Sequence, residues 1–138
     1  MNLCVIDASV ALAWCLSDEH DEYAEAVIAA LLQGVAEVPQ LWPLEVANGL
    51  LAAERRGRVT ADECDAALRR IGELPIVADS VTGERAGSEI MALARAWNLS
   101  IYDAAYIELA KRRSLPIATP DARLEAAIKG GAVARFAP

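Results

Sequence analysis

The chain has 138 residues and a formal net charge of -7. This length predicts a single domain over residues 1–138 that can bury a core without disulfides. The acidic balance counts against a protein that coats RNA or DNA regardless of sequence, because such binders are usually basic. It does not exclude a nuclease, since an acidic site contributes to the total charge and bound metals would offset it.

The counts of histidine and cysteine further limit the kinds of active site that the chain could contain. His20 is the only histidine, which argues against a histidine-based zinc site and a Ser-His triad. Cys4, Cys15 and Cys64 include no C-x-x-C pair and are predicted to be buried thiols in a reducing cytosol. No signal peptide and no run near the ~18 residues of a membrane span are evident, so a cytoplasmic location without a membrane contact is predicted.

Short apolar runs alternate with helical patterns along the chain. The predicted strands are 3–6, 37–38, 75–78, 99–102 and 116–119, and 132–136 is a candidate edge strand. The predicted helices are 8–16, 23–33, 43–56, 60–71, 81–97, 104–113 and 121–129. This alternation predicts an α/β fold in which helices cover both faces of a parallel sheet.

Four acidic residues lie where an apolar run stops and a helical pattern begins: Asp7, Glu45, Asp103 and Asp121. In a parallel α/β sheet these junctions share the carboxyl edge of the strands, so the four carboxylates are predicted to converge. Each pair at 4 Å would repel by about 1 kcal/mol in water and about 4 kcal/mol at an effective dielectric of 20. Mg²⁺ and Mn²⁺ prefer oxygen ligands, so the pattern predicts a metal-dependent phosphoryl-transfer site.

Helix capping is the alternative for each acid, because carboxylates at helix starts bind free N–H groups and oppose the helix dipole. Position alone does not decide between the two, since Asp18, Asp21, Asp62 and Asp79 also lie at predicted helix starts. The neighbouring residues form four ordered motifs: Val5-Ile6-Asp7-Ala8-Ser9, Pro43-Leu44-Glu45-Val46-Ala47-Asn48, Tyr102-Asp103-Ala104-Ala105-Tyr106 and Thr119-Pro120-Asp121-Ala122-Arg123-Leu124.

This ordered set resembles the PIN-domain family and, within it, the VapC-type ribonuclease toxins of toxin–antitoxin pairs. The resemblance implies a three-layer α/β/α sandwich with a parallel sheet of four or five strands. It implies metal-dependent endonucleolytic cleavage of RNA with Mg²⁺ or Mn²⁺ as the cofactor. It also implies a cognate VapB-like antitoxin that obstructs the site, and a homodimer.

The acids take the catalytic and metal-binding roles. Asp7, Asp103 and Asp121 are the expected metal ligands, and Glu45 completes the set. A bound metal would lower the pKa of its water and orient attack on phosphorus, and a second metal roughly 4 Å away would stabilise the leaving oxygen.

Four further residues are expected to support the acids or the substrate. Ser9 would bond to a carboxylate or the scissile phosphate, unless it is an ordinary helix-start hydroxyl. Thr119 would orient Asp121 or a metal-bound water. Asn48 lies one helical turn after Glu45 and would hold it or touch RNA, unless it is only a packing polar group. Arg123 is the candidate phosphate contact, with a plain surface role as its alternative.

Two rival functions stay open at this point. A PIN fold retained only for binding or dimerisation would lack turnover, and metal-dependent cleavage would separate it from a nuclease. A Mg²⁺-binding receiver-type domain could use Asp79 as its phosphoacceptor. Such a domain would carry an acidic pair after its first strand and a Lys after its last strand, and neither is present at these positions.

Overall fold

The computed structural model describes residues 1–16, 18, 21–120 and 124–138. The predicted α/β fold is confirmed, with a parallel four-stranded sheet in the order β3-β2-β1-β4. Its strands are β1 (Asn2–Ile6), β2 (Val35–Val38), β3 (Ile76–Ala78) and β4 (Ile117–Ala118). Because all four strands run the same way, their carboxyl ends meet at one edge of the sheet.

Strand β1 lies at the centre of the core. Val5 pairs with Glu37 of β2 on one side and with Ile117 of β4 on the other. Val5 and Ile117 are fully buried, as expected for apolar strands in a covered parallel sheet. The candidate edge strand 132–136 contributes a single parallel bridge, between Arg135 and Ile117.

Helices connect and cover the strands in the described ranges. They are α1 (Ala8–Cys15), α2 (Glu22–Ala30), α3 (Trp42–Arg55), α4 (Ala61–Gly72), α5 (Met91–Trp97), α6 (Ile101–Arg113) and α7 (Glu125–Lys129). Helix α1 packs on α2 and α3, while α5 packs on α6. Across the residues that the structure describes, no helix has both the length and the apolar character needed to cross a membrane.

The helices predicted over 43–56 and 60–71 form as α3 and α4, which pack together as a hairpin. Pro43 occupies the first turn of α3, where its missing N–H costs nothing. Thr60 and Glu63 form a capping box at the start of α4. Gly49 lets α3 approach α1 closely, since a Cβ there would lie 2.5 Å from Leu12 Cδ1.

The predicted strand 99–102 is wrong. Helix α5 ends at Asn98, which adopts a left-handed conformation with φ 52°, and α6 already begins at Ile101. Ser100 caps α6 by accepting a 3.0 Å hydrogen bond from the N–H of Asp103. This local capping overrides the β-branched and aromatic pattern of the segment. Asp103 therefore lies in the first turn of a helix rather than at the end of a strand.

The predicted helix over 81–97 is also irregular at its start. Gly83–Arg85 forms a 3-10 turn and Ala86–Ile90 a π-helical turn before α5 begins at Met91. Two glycines, Gly83 and Gly87, weaken regular helix here. The Thr82 hydroxyl also holds the entry to this segment by donating a 2.8 Å hydrogen bond to Asp79 Oδ2.

Candidate active site

Asp7 lies at the carboxyl end of the central strand β1. Its backbone N–H donates a 3.0 Å hydrogen bond to the carbonyl of Ala118, which joins the ends of β1 and β4. Its side chain is only 2% exposed. Asp7 is the N-cap residue of α1, yet its carboxylate makes no capping hydrogen bond to that helix. Capping therefore does not explain this buried acid.

Two hydroxyl groups hold one oxygen of the Asp7 carboxylate. Ser9 Oγ donates to Oδ2 over 2.9 Å, and Thr119 Oγ1 donates to the same oxygen over 2.8 Å. Thr119 is fully buried at the end of β4. The hydroxyl of Thr119 thus contacts Asp7, and Asp121, the partner that the sequence predicts for it, lies outside the described residues. Such paired donors fix the orientation of the carboxylate.

Glu45 lies in the first turn of α3 and is partly buried. Tyr106, on α6, donates a 2.5 Å hydrogen bond from its hydroxyl to Glu45 Oε1. Burial, the hydrogen bond to Glu45 and the negative charges of Glu45 and Asp7 raise the pKa of Tyr106 far above its ordinary value. Tyr106 therefore stays a neutral donor at physiological pH. Because both carboxylates act on its hydroxyl, Tyr106 connects α3 with the end of β1.

Asp103 lies in the first turn of α6 and is partly buried. Ser100 is the N-cap of that helix, so Asp103 is not the capping residue. Residues three apart share a helix face, which puts Asp103 on the face that carries Tyr106. Three of the four predicted acids, Asp7, Glu45 and Asp103, thus lie on or next to the elements that surround Tyr106.

Asp121, Arg123 and His20 lie outside the described residues. Within the described ranges, no group of three Asp, Glu, His or Cys side chains is close enough to hold a metal ion. Asp7 follows β1 as the N-cap of α1, and Glu45 lies in the first turn of α3, so both supply carboxylate oxygens, the ligand type that Mg²⁺ and Mn²⁺ prefer. This donor chemistry suits a hard cation, and Asp121 is the predicted further ligand.

Asn48 is exposed one turn after Glu45 on α3. Both residues line a cavity of about 260 Å³, and the described residues that complete its wall are Leu41, Leu44 and Tyr102. Asn48 therefore faces open space beside Glu45 rather than the packed core.

A second polar cluster lies away from these acids, and sequence reasoning missed it. Arg112, on α6, donates to Asp79 over 2.7 and 3.1 Å and to Glu108 over 2.8 and 3.1 Å. Burial alone would raise the pKa of Asp79, but hydrogen bonds from Arg112 and Thr82 outweigh it and hold that pKa below its usual range. A carboxylate engaged in this way forms a structural ion pair, which counts against Asp79 as a phosphoacceptor.

The basic end of α6 forms ion pairs with other parts of the fold. Arg113 donates a 2.9 Å hydrogen bond to Glu37 of β2, as Arg112 does to Asp79 beyond β3. Both arginines therefore tie α6 to other elements of the fold. The sequence gives no signal for these pairs, because their partners lie 76 and 33 residues away.

Known proteins resemble this chain in sequence and in fold. The PIN-domain model matches residues 4–129. Ribonuclease VapC9 from Mycobacterium tuberculosis is 38% identical over 122 residues, which cover 87% of each chain. The crystal structure of PAE2754 from Pyrobaculum aerophilum superposes with a TM-score of 0.68 at 22% identity, covering 93% of this chain and 81% of the other.

A toxin–antitoxin complex from Klebsiella pneumoniae contains a chain of the same fold, with a TM-score of 0.66 at 13% identity. This match covers 97% of the chain and 98% of the Klebsiella chain. The family match spans nearly the whole sequence, and the ordered acidic motifs fall within it. The chain belongs to the PIN-domain family and is of the VapC type.

Proposed function

We propose that this chain is a divalent-metal-dependent endoribonuclease, the toxin of a toxin–antitoxin pair. The observation that carries the proposal is the buried Asp7 carboxylate, held by Ser9 and Thr119 at the carboxyl edge of the sheet, with Glu45 held by a hydrogen bond from Tyr106. A relative of similar length is called Ribonuclease VapC9, which supports RNA as the substrate.

Each acid has a role in this proposal. Asp7, Asp103 and Asp121 bind the cation, and Glu45 completes its ligand set. Ser9 and Thr119 keep the Asp7 carboxylate in one orientation, so that no reorganisation is needed when the ion arrives. Tyr106 holds Glu45 in the same manner. The chemistry that Mg²⁺ or Mn²⁺ supplies when bound is polarisation of the phosphate and activation of water for attack.

The substrate would enter over two helix starts. Helices α3 and α6 both begin beside the acids, and the positive ends of their dipoles favour a phosphate group there. Glu45 and Asp103 occupy these first turns, where the helix dipole stabilises their ionised form. Arg123 is the proposed additional phosphate contact.

An antitoxin of the VapB type is the proposed protein partner. The structural neighbour from Klebsiella pneumoniae is a toxin–antitoxin complex, which supports a partner of this class. We also propose that the chain forms a homodimer in the cytoplasm, in keeping with its apolar content of 55%.

The test is cleavage of a mixed tRNA and rRNA panel by the purified chain in Mg²⁺, Mn²⁺ or EDTA. The control is Asp103→Asn purified identically, so that a contaminating ribonuclease would cut equally in both samples. Cuts that require metal and occur only with the wild-type chain would support the proposal. Equal cutting, or none across a panel that contains every cellular tRNA and rRNA, would favour the rival of a PIN fold that only binds.

A further inference from the structure

The cavity beside Glu45 has a composition suited to one kind of ligand. It measures about 260 Å³ and is lined by Leu41, Leu44, Glu45, Asn48 and Tyr102. Leu44 is 74% exposed and Tyr102 is 64% exposed, although both are large apolar side chains. All seven aromatic residues fall within the described ranges, and the others are buried or partly buried. Tyr102 is therefore the one aromatic side chain presented to solvent.

The placement of this aromatic side chain links it to the acids. Tyr102 immediately precedes Asp103 in the first turn of α6, and Leu44 immediately precedes Glu45 in the first turn of α3. Both apolar groups are thus carried by the same helical turns as the two acids. A nucleotide whose phosphate reaches the acids brings its own base, or that of its neighbour, to this cavity.

We propose that the cavity binds a nucleobase of the RNA substrate, with the ring of Tyr102 as its stacking surface. This inference rests on the proposed ribonuclease function. Leu44 supplies an aliphatic contact, and the Asn48 amide can both donate and accept hydrogen bonds at the edge of the base. Asn48 is thereby assigned a role in base preference rather than in holding Glu45.

Charge favours a base over a phosphate group as the occupant. Among the described residues that line the cavity there is no Lys or Arg, and Glu45 is acidic. Affinity for RNA here would come mainly from stacking, which every base can provide through its π-face. Stacking on an aromatic side chain also tolerates sequence variation, so one tyrosine can serve several target sequences.

The first measurement is binding of a cleavable RNA oligonucleotide, followed by fluorescence anisotropy in EDTA so that no cutting occurs. Tyr102→Ala is expected to bind about 5- to 150-fold more weakly, the range that corresponds to loss of one stacked base. Tyr102→Phe keeps the ring and is expected to bind like the wild type. Leu32→Ala removes another exposed leucine, 86% exposed after α2, and serves as the control.

A second measurement identifies the base itself. A series of oligonucleotides carries one abasic nucleotide each, at successive positions around the cleaved bond. Binding of each oligonucleotide is measured with the wild-type chain and with Tyr102→Ala. One abasic position is expected to weaken binding by the wild-type chain and to have no further effect on Tyr102→Ala. If every abasic position weakens both proteins equally, no base stacks on Tyr102 and the inference is overturned.

The remaining outcomes separate this inference from the proposed function. If the wild-type chain cleaves RNA with metal while Tyr102→Ala binds and cleaves identically, the inference fails and the proposed function stands. If the wild-type chain cleaves nothing, the proposed function fails, and RNA binding that depends on Tyr102 still supports the base site. If Tyr102→Ala disperses a dimer or releases a protein partner without altering RNA affinity, the cavity is a protein contact and the inference is overturned.

Discussion

The hydroxyl of Tyr106 donates a 2.5 Å hydrogen bond to Glu45 Oε1, across 61 residues of sequence. This bond joins the middle of α6 to the first turn of α3. The charge of Asp7 also contributes to the raised pKa of Tyr106, so this hydroxyl lies near both the Asp7 and the Glu45 motifs. Its role in the proposed chemistry is to position Glu45.

We expect Tyr106→Phe to lower the single-turnover cleavage rate about tenfold, the lower end of the cost of losing a residue that orients a ligand. The loss of one hydrogen bond would also lower the free energy of unfolding by about 1 kcal/mol. The pH–rate profile would keep its shape, because burial raises the pKa of Tyr106 so far that its hydroxyl stays protonated throughout the accessible range.

Thr60→Ala is the matched control for this prediction. Thr60 caps α4 by accepting a 3.1 Å hydrogen bond from the N–H of Glu63, and this cap lies at the start of α4, away from the acidic site. Its removal should lower the free energy of unfolding by about 1 kcal/mol and leave the cleavage rate of the folded enzyme unchanged. Equal cleavage rates for Tyr106→Phe and Thr60→Ala would show that the Tyr106 hydroxyl has no positioning role.

We expect Thr119→Val to disturb Asp7 without changing the shape of the core. The hydroxyl that donates to Asp7 Oδ2 is lost, and a buried carboxylate oxygen loses one of its two known donors. The expected cost in unfolding free energy is about 1–3 kcal/mol, with a fall in cleavage rate of about 10- to 100-fold. Urea denaturation and single-turnover kinetics measure the two effects. Thr119→Ser keeps the hydroxyl and should recover most of the rate; failure to do so would mean that packing, not the hydrogen bond, is responsible.

We expect Arg112→Met to destabilise the fold in a pH-dependent way. Arg112 pairs with Asp79 and with Glu108, which is only 4% exposed, so its loss takes the paired cation from Asp79 and leaves Glu108 with the more distant Arg85, 3.8 Å away. Breaking such a pair costs about 3 kcal/mol near neutral pH. The pKa of Asp79 is lowered in the fold, so the pair contributes fully above the ordinary pKa of 3.8 and less as pH falls through the folded-state value.

The difference in unfolding free energy between the wild type and Arg112→Met should therefore shrink below about pH 4. Urea denaturation from pH 7 to pH 3 measures it. Arg113→Met removes the neighbouring, more exposed ion pair with Glu37 and should cost less than about 1 kcal/mol. A pH-independent loss for Arg112→Met would assign its effect to packing of the side chain instead of charge.

We expect millimolar Mg²⁺ or Mn²⁺ to raise the melting temperature by about 4 °C, because ions that bind only the folded state stabilise it by mass action. NaCl at equal ionic strength should not reproduce the shift. Asp103→Asn should respond less than the wild type, whereas Asp62→Asn, at the exposed start of α4, should respond fully. An identical response of all three proteins would place the bound ions elsewhere on the surface.

Much of the fold follows from short-range patterns. Alternation of apolar runs and helical segments predicts the parallel sheet, and the residues Thr60 and Glu63 predict the start of α4. The error at 99–102 arose because Ile101 and Tyr102 favour strands by propensity, while the Ser100 cap and tertiary packing place them in α6. A Ser three residues before Asp103 was a capping signal that could have corrected the prediction.

The positions of Asp7, Glu45 and Asp103 were predictable because each belongs to a motif at a strand end or a helix start. The contacts that hold them were not, since they depend on the distance between elements. Thr119 meets Asp7 because β4 pairs with β1, and Tyr106 reaches Glu45 from α6 across to the first turn of α3. The spacing of Tyr106 three residues after Asp103 was the available signal that both share one face of a helix.

The most direct test of a metal-dependent acidic site uses an RNA with a single sulfur in place of a non-bridging oxygen at the mapped cleavage position. Single-turnover cleavage of this RNA is measured in Mg²⁺ and in Mn²⁺, with the all-oxygen RNA as the reference. The account predicts slow cleavage of one stereoisomer in Mg²⁺ and recovery in Mn²⁺, since the softer ion accepts sulfur more readily. Equal rates with both RNAs in both metals would contradict a metal ion acting at the scissile phosphate.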